Sequence, residues 1–236
     1  MTASPRLKAR IAGGLYVVTI GTGMFALLTR SAMLVRGDAA ATAANILASQ
    51  PLYRCSIVAD ILGIAAYVAV TALLYELLAP VNRTVSLVAA ALSIAGCAVG
   101  ASILAFVLAP LLLLGGQSYL AAFSPAELQA LALTALRLHS LSYNIGMVFF
   151  GWYCLLLGYL VFRSGFLPRW LGVLLALAGI AWLAGSISGL VAPALARSLD
   201  PYVTVAGLLG EGSLTLWLLL LGIDPARWAA AAARLR

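Results

Sequence analysis

Six uninterrupted apolar runs decide what this chain can fold into. They cover residues 11–28, 56–78, 84–114, 142–162, 169–192 and 202–223. Runs of about 18 apolar residues or more can cross the hydrocarbon core of a bilayer. Within that core each segment must satisfy its own backbone hydrogen bonds. The runs lack the period-two alternation of barrel strands, so they specify helices. Composition agrees, since 64% of residues are hydrophobic and 9% charged, whereas soluble domains carry about a quarter charged residues. The expected fold is all-α: one domain over residues 1–236, an integral membrane bundle of six transmembrane helices. The 84–114 run is longer than a bilayer needs and has to tilt or project.

The net charge of +7 would suit a polyanion, but its placement points elsewhere. If the spans alternate, Arg6, Lys8, Arg10, Arg83, Arg163, Arg169, Arg227, Arg234 and Arg236 share one side. Arg30, Arg36, Arg54 and Arg197 fall on the other, with Arg137 near it. This asymmetry is the positive-inside bias, so both termini are expected in the cytoplasm and the protein in the plasma membrane. Membrane lipids are the expected partners and nucleic acid is not. The first run is read as a retained helix, because "LLTRSAM" is a poor small-residue cleavage site. Cys55, Cys97 and Cys154 lie on different spans without metal-ligand or disulfide spacing, which implies inert thiols.

Capping signals mark several boundaries. In "SPAEL", Ser124 is an N-cap, Pro125 the first helical residue and Glu127 the partner of a capping box. The fourth membrane helix therefore starts near Ser124 and runs to about Ser164, roughly 60 Å at 1.5 Å per residue. Its first four turns must project, lie on the surface or break away. "DPYV" at Asp200 and "DPAR" at Asp224 read as further helix starts. Residues 37–54 are expected to carry a short outer surface helix that stops before Pro51. Residues 224–236 suit a basic interfacial helix with Trp228 at the lipid boundary. "GCAVG" (96–100) and "GSISG" (185–189) are small-xxx-small patterns that permit close helix contact.

Ionisable groups inside membrane spans are costly, so they are the best pointers to function. Glu211 lies near the middle of the sixth run, with Thr204, Gly207 and Thr215 on its face. A glutamate there must be protonated, paired or hydrated. Asp60 enters the second run from the outer side and shares a face with Tyr67, Thr71 and Tyr75. Arg137 and the single histidine, His139, sit at the outer end of the fourth run, followed by Tyr143 and Asn144. Glu76 is read as an inner-interface residue near Arg83. At about 100° per residue, His139 and Tyr143 share one face while Arg137 and Asn144 share the neighbouring one. The candidate ligand-binding set is Glu211, Asp60, His139, Tyr143, Asn144 and Arg137. It would meet either as His139 and Tyr143 with both acids, or as Arg137 and Asn144 with one of them.

Known cofactor patterns are missing. One histidine cannot supply two haem ligands, and no HExxH, G-x-S-x-G, phosphate-loop or dinucleotide glycine pattern occurs. No metal site and no cofactor are expected. Proton relay through Glu211, Asp60 and His139 is compatible with the inventory.

"ARIAGGLYVV" (9–18), "GDAAATAANILAS" (37–49), "LAPVNR" (78–83), "FSPAELQALAL" (123–133), "HSLSYNIGMVFFGWYCLLLGYLVFRSGFLPRWLG" (139–172) and "GEGSLTLWLLLLG" (210–222) together carry a resemblance. Over nearly its whole length the chain resembles the bacterial membrane family called domain of unknown function 4386. The resemblance implies a six-helix membrane protein and carries over no catalytic role.

The function expected first is binding or passage of a small or lipid-like ligand in an outward-facing polar cavity between helices. An intramembrane enzyme, such as a metal-assisted hydrolase built on His139 and the carboxylates, is a second reading. A structural protein whose polar groups satisfy one another is a third.

Overall fold

The computed structural model describes residues 4–233; Arg234 and Arg236 of the basic set lie outside the described residues. Among the described residues there are eight α-helices and no strand: α1 (Pro5–Met33), α2 (Ala39–Ala48), α3 (Gln50–Leu78), α4 (Arg83–Leu113), α5 (Pro125–Arg163), α6 (Arg169–Val191), α7 (Pro193–Leu220) and α8 (Pro225–Ala233). Six of them, all but α2 and α8, are long and apolar enough to cross a membrane. The protein is therefore an all-helical, multi-pass membrane protein.

Most boundaries follow the local capping chemistry. Ser124 and Glu127 form the reciprocal box: the Ser124 N–H donates to Glu127 Oε2 at 2.7 Å, and the Glu127 N–H donates to Ser124 Oγ at 3.3 Å. From there α5 continues without a break for 39 residues. Asp38 caps α2 through the Ala41 N–H at 2.8 Å, and α2 ends before Pro51 as expected. Asp224 caps α8 through the Ala226 N–H at 2.9 Å.

One boundary differs. Asp200–Pro201 does not start a helix; α7 begins at Pro193, and Pro201 lies inside it. The chain breaks instead at Ala192 (φ −146°, ψ 71°), and Pro193 supplies a preset helical φ at the first position. Pro201 then lacks one backbone donor, which membrane helices tolerate because neighbouring groups satisfy the freed carbonyl. The Asp–Pro signal is local and occurs at a site where the helix is already under way.

The chain divides into two compact units. The first comprises Met1–Val18, Ala66–Ala98 and Asn144–Arg236. In it α5 and α6 run antiparallel with backbones in contact at paired glycines. A Cβ on Gly158 would lie 2.7 Å from the Gly172 carbonyl oxygen, and one on Gly179 2.8 Å from that of Gly151. Leu157, Leu160, Leu171, Leu175, Leu214 and Leu218 are almost fully buried around this pair. At the end where the segments 76–83, 163–169 and 220–225 lie, Lys8 pairs with Glu76. Arg10 Nη2 donates to the Leu220 carbonyl at 3.2 Å, and Trp228 Nε1 donates to the Leu77 carbonyl at 2.9 Å. Glu76 thus has Lys8 as its partner, and Trp228 is bonded to the protein.

The second unit comprises Thr19–Ala65 and Val99–Tyr143. Its core is Met33, Ile46, Tyr53, Ile57, Leu104 and Val107, with Ile64, Leu111 and Leu136 packed on it. Ile46 brings α2 onto that core, and Asn45 Nδ2 fastens α2 to the end of α1 through the Met33 carbonyl at 3.2 Å. Tyr53 Oη donates to the Val107 carbonyl at 2.7 Å, one turn before Pro110, so a buried hydroxyl gains the partner it needs.

Candidate functional site: a glutamate held by tyrosine and tryptophan

In the first unit, Glu211 is partly buried on α7 and held from two other helices. Tyr16 Oη, from α1, donates to Glu211 Oε2 at 3.2 Å. Trp182 Nε1, from α6, donates to Glu211 Oε1 at 3.1 Å. Each carboxylate oxygen therefore has its own donor, which fixes the rotamer and offsets the cost of removing a carboxylate from water. Tyr16 has a single hydroxyl hydrogen, committed to Glu211, so in the 3.1 Å contact between Tyr16 and Tyr67 hydroxyls Tyr67 is the donor. The order is Tyr67 to Tyr16 to Glu211, with Trp182 closing the other side.

Aromatic rings enclose this chain. Tyr16 and Tyr67 meet edge to face at 5.4 Å, and Phe150 stands 5.5 Å from Tyr67, 5.6 Å from Tyr153 and 6.2 Å from Trp182. Tyr16 and Tyr153 are essentially inaccessible. The Tyr153 hydroxyl, on a ring 6.1 Å from that of Tyr67, has no hydrogen-bond partner among the described residues. A second small network lies one turn further along α3. Thr71 Oγ1 donates to the Tyr67 carbonyl at 2.9 Å and shares a 2.6 Å contact with Ser93 Oγ of α4.

Counting along the helices locates the centre. Tyr16 lies eleven residues from Pro5, Tyr67 eleven from Leu78 and Glu211 nine from Leu220. At 1.5 Å per residue this is about 14–17 Å from one end, roughly half of a 30 Å core. Glu211 therefore lies well inside α7, more than two turns from its nearer end.

Asp60 is resolved differently. In the second unit its Oδ2 pairs with Arg30 Nη1 at 2.5 Å, and the two side chains are only 16% and 18% exposed. Tyr53 and the half-buried His139 both lie within the field of this arginine. Arg137 and Tyr143 are exposed. Asn144 belongs to the first unit and sits against Gly189, where an added Cβ would lie 2.8 Å from the amide. Of the six candidates, Glu211 and Asn144 thus belong to one unit and Asp60, Arg137, His139 and Tyr143 to the other. Among the described residues no three of His, Cys, Asp and Glu form a group able to hold a metal ion. Cys55, Cys97 and Cys154 are free.

Sequence reasoning missed Tyr16, Trp182 and Arg30. Their signal is position: tyrosine and tryptophan favour membrane interfaces, so Tyr16 and Trp182 well inside their helices imply buried partners. Space for Trp182 comes from Gly207, one turn before Glu211, where a Cβ would lie 2.6 Å from the indole. Gly207→Ala is expected to push the indole off Glu211 and lower stability by about 1–3 kcal/mol. Thermal unfolding in detergent measures this against Gly212→Ala, whose Cβ would meet only Leu208 at 3.8 Å. Equal stability of the two variants would contradict this packing.

No solved structure gives a significant match to the chain. A 40-residue stretch is 42% identical to an uncharacterized protein of Archaeoglobus fulgidus, covering 17% of this chain and 25% of that protein. The chain thus matches about a quarter of that relative's length. A family model described as Domain of unknown function (DUF4386) matches residues 11–222. With the match extending from the first membrane helix to the end of the last, the chain belongs to the DUF4386 family.

Proposed function

We propose that this membrane protein binds or passes a small ligand at the Glu211 centre, and that the species Glu211 itself takes up is a proton. The observation that carries the reading is the hydrogen-bonded order Tyr67–Tyr16–Glu211–Trp182. Rings pack directly on that order, so what it accommodates is small, and a proton requires only that hydroxyl groups turn. When Glu211 is protonated it can donate to Tyr16, and the direction of the Tyr16–Tyr67 bond reverses. The position of Glu211 well inside α7 agrees with the placement of transporter sites near the bilayer midplane. Glutamates inside membrane spans commonly mark such pathways.

The location we propose is the plasma membrane, with both ends of the chain cytoplasmic. The concentration of basic residues on the segments beside the termini supports it. For Asp60 the structural reading is favoured, because Arg30 already neutralises it. A metal-assisted hydrolase built on His139 has no ligand set among the described residues.

Infrared difference spectroscopy across the pH range of protein carboxylates tests the proton reading. A carboxylic-acid band should appear and vanish with pH, disappear in Glu211→Gln and move in Tyr16→Phe. A band that persists unchanged in Glu211→Gln assigns the titration elsewhere and defeats the proposal.

A further inference from the structure

In the first unit, the start of α1, the α5–α6 turn and the α7–α8 turn enclose an open cleft of about 480 Å³. Its walls combine Phe166, Leu167 and Trp217 with Arg6 and Arg227. Arg6 is exposed, and its side chain makes no hydrogen bond or ion pair among the described residues. Arg227 makes a 3.5 Å contact with Asp224, with 72% and 48% of the two side chains exposed, a weak pair in such a setting. Asp224 also lines the cleft, but its Oδ1 already accepts from the Ala226 and Arg227 N–H groups at 2.9 and 3.3 Å. Both arginines keep most of their five donors for a ligand.

The turns are shaped for this arrangement. Gly222 has φ +71°, and even a Cβ there would lie 3.1 Å from Arg6 Cγ. Glycine at this position lets the Arg6 stem lie against the turn, at the edge of the cleft that Arg6 helps to line. Trp217 meets Trp170 edge to face at 5.9 Å, an aromatic pair at the helix ends, where tryptophan favours the headgroup level.

We propose that this cleft binds the phosphate headgroup of an anionic phospholipid. Arg6 and Arg227 hold the phosphate oxygens as planar forks, and Trp217, Phe166 and Leu167 receive the glycerol and upper acyl chains. The cleft opens at the ends of membrane helices, the level at which lipid phosphates lie. Free inorganic phosphate could use the same guanidinium groups but would leave the apolar wall uncovered, and this difference separates the two sources. The site is independent of the Glu211 centre.

Native mass spectrometry of the full chain, released from detergent holding equal phosphatidylglycerol and phosphatidylcholine of one chain length, reads the preference directly. Phosphatidylglycerol adducts should exceed phosphatidylcholine adducts by about tenfold. The preference should vanish in Arg6→Gln/Arg227→Gln and persist in the charge-matched control Arg36→Gln/Arg54→Gln. Millimolar inorganic phosphate should leave it unchanged. A preference that survives loss of Arg6 and Arg227, falls equally in the control, or is abolished by inorganic phosphate overturns the proposal. Size-exclusion profiles establish that each variant is folded. Should the double variant aggregate, the single Arg6→Gln variant is read in its place, with a reduced preference expected and an unchanged one counting against the site.

Discussion

Gly172→Leu is expected to leave little folded protein in detergent, a loss of at least about 3 kcal/mol. A Cβ at residue 172 would lie 2.6 Å from both the Gly158 carbonyl oxygen and the Phe162 nitrogen. These are backbone atoms of α5, and no rotamer change moves them. The only relief is to separate α5 from α6, which also opens the Gly151–Gly179 contact one heptad away. In lipid such contacts carry unusual weight, since helix association there depends on packing and on the close approach that small residues allow. Gly21→Ala is the natural control: nothing lies within 4 Å of a Cβ at that position, and alanine is the better helix former by about 1 kcal/mol. Thermal unfolding should therefore place Gly21→Ala at or above the parent and Gly172→Leu far below it. Similar behaviour of the two would mean that the α5–α6 backbones do not touch.

Removing one partner of the Arg30–Asp60 pair should have the next largest effect. Asp60→Ala leaves a guanidinium with 18% of its side chain exposed and no counter-charge at 2.5 Å, at a cost of about 3 kcal/mol. The double variant Arg30→Met/Asp60→Leu removes both charges while keeping volume, and should recover most of that loss. Exchange of buried pairs for apolar residues is commonly neutral or better. The four-variant cycle gives the coupling directly. If Asp60→Ala and the double variant are equally destabilised, the pair contributes through packing alone and the electrostatic account is wrong.

Both effects show where sequence reading succeeds and where it stops. Apolarity is a one-dimensional property, so the six spans were legible. So were Ser124–Glu127, Asp224 and the end of α2, because capping acts within a few residues. Gly151, Gly158, Gly172 and Gly179 escaped notice because they recur at seven residues and matter only in pairs across an antiparallel contact. The patterns with four-residue glycine spacing at 96–100 and 185–189 drew attention instead. Arg30 was counted as a topology charge, and its pairing with Asp60 depends on which helices adjoin. Glu211 stood out alone, since a carboxylate in a span is anomalous in any fold. Its partners Tyr16 and Trp182 lie 195 and 29 residues away, and local pattern cannot identify contacts of that range.

The bond from Trp228 to the Leu77 carbonyl bears on the order of events during synthesis. Leu77 is in the last turn of α3, where carbonyls have no intrahelical donor. Its side-chain donor is translated 151 residues later, after the remaining membrane helices have been made. Until then the end of the second membrane helix must use water or headgroups in place of the indole. Docking of α8 therefore follows synthesis of the six described membrane helices, and it ties the segment after α7 to the end of α3.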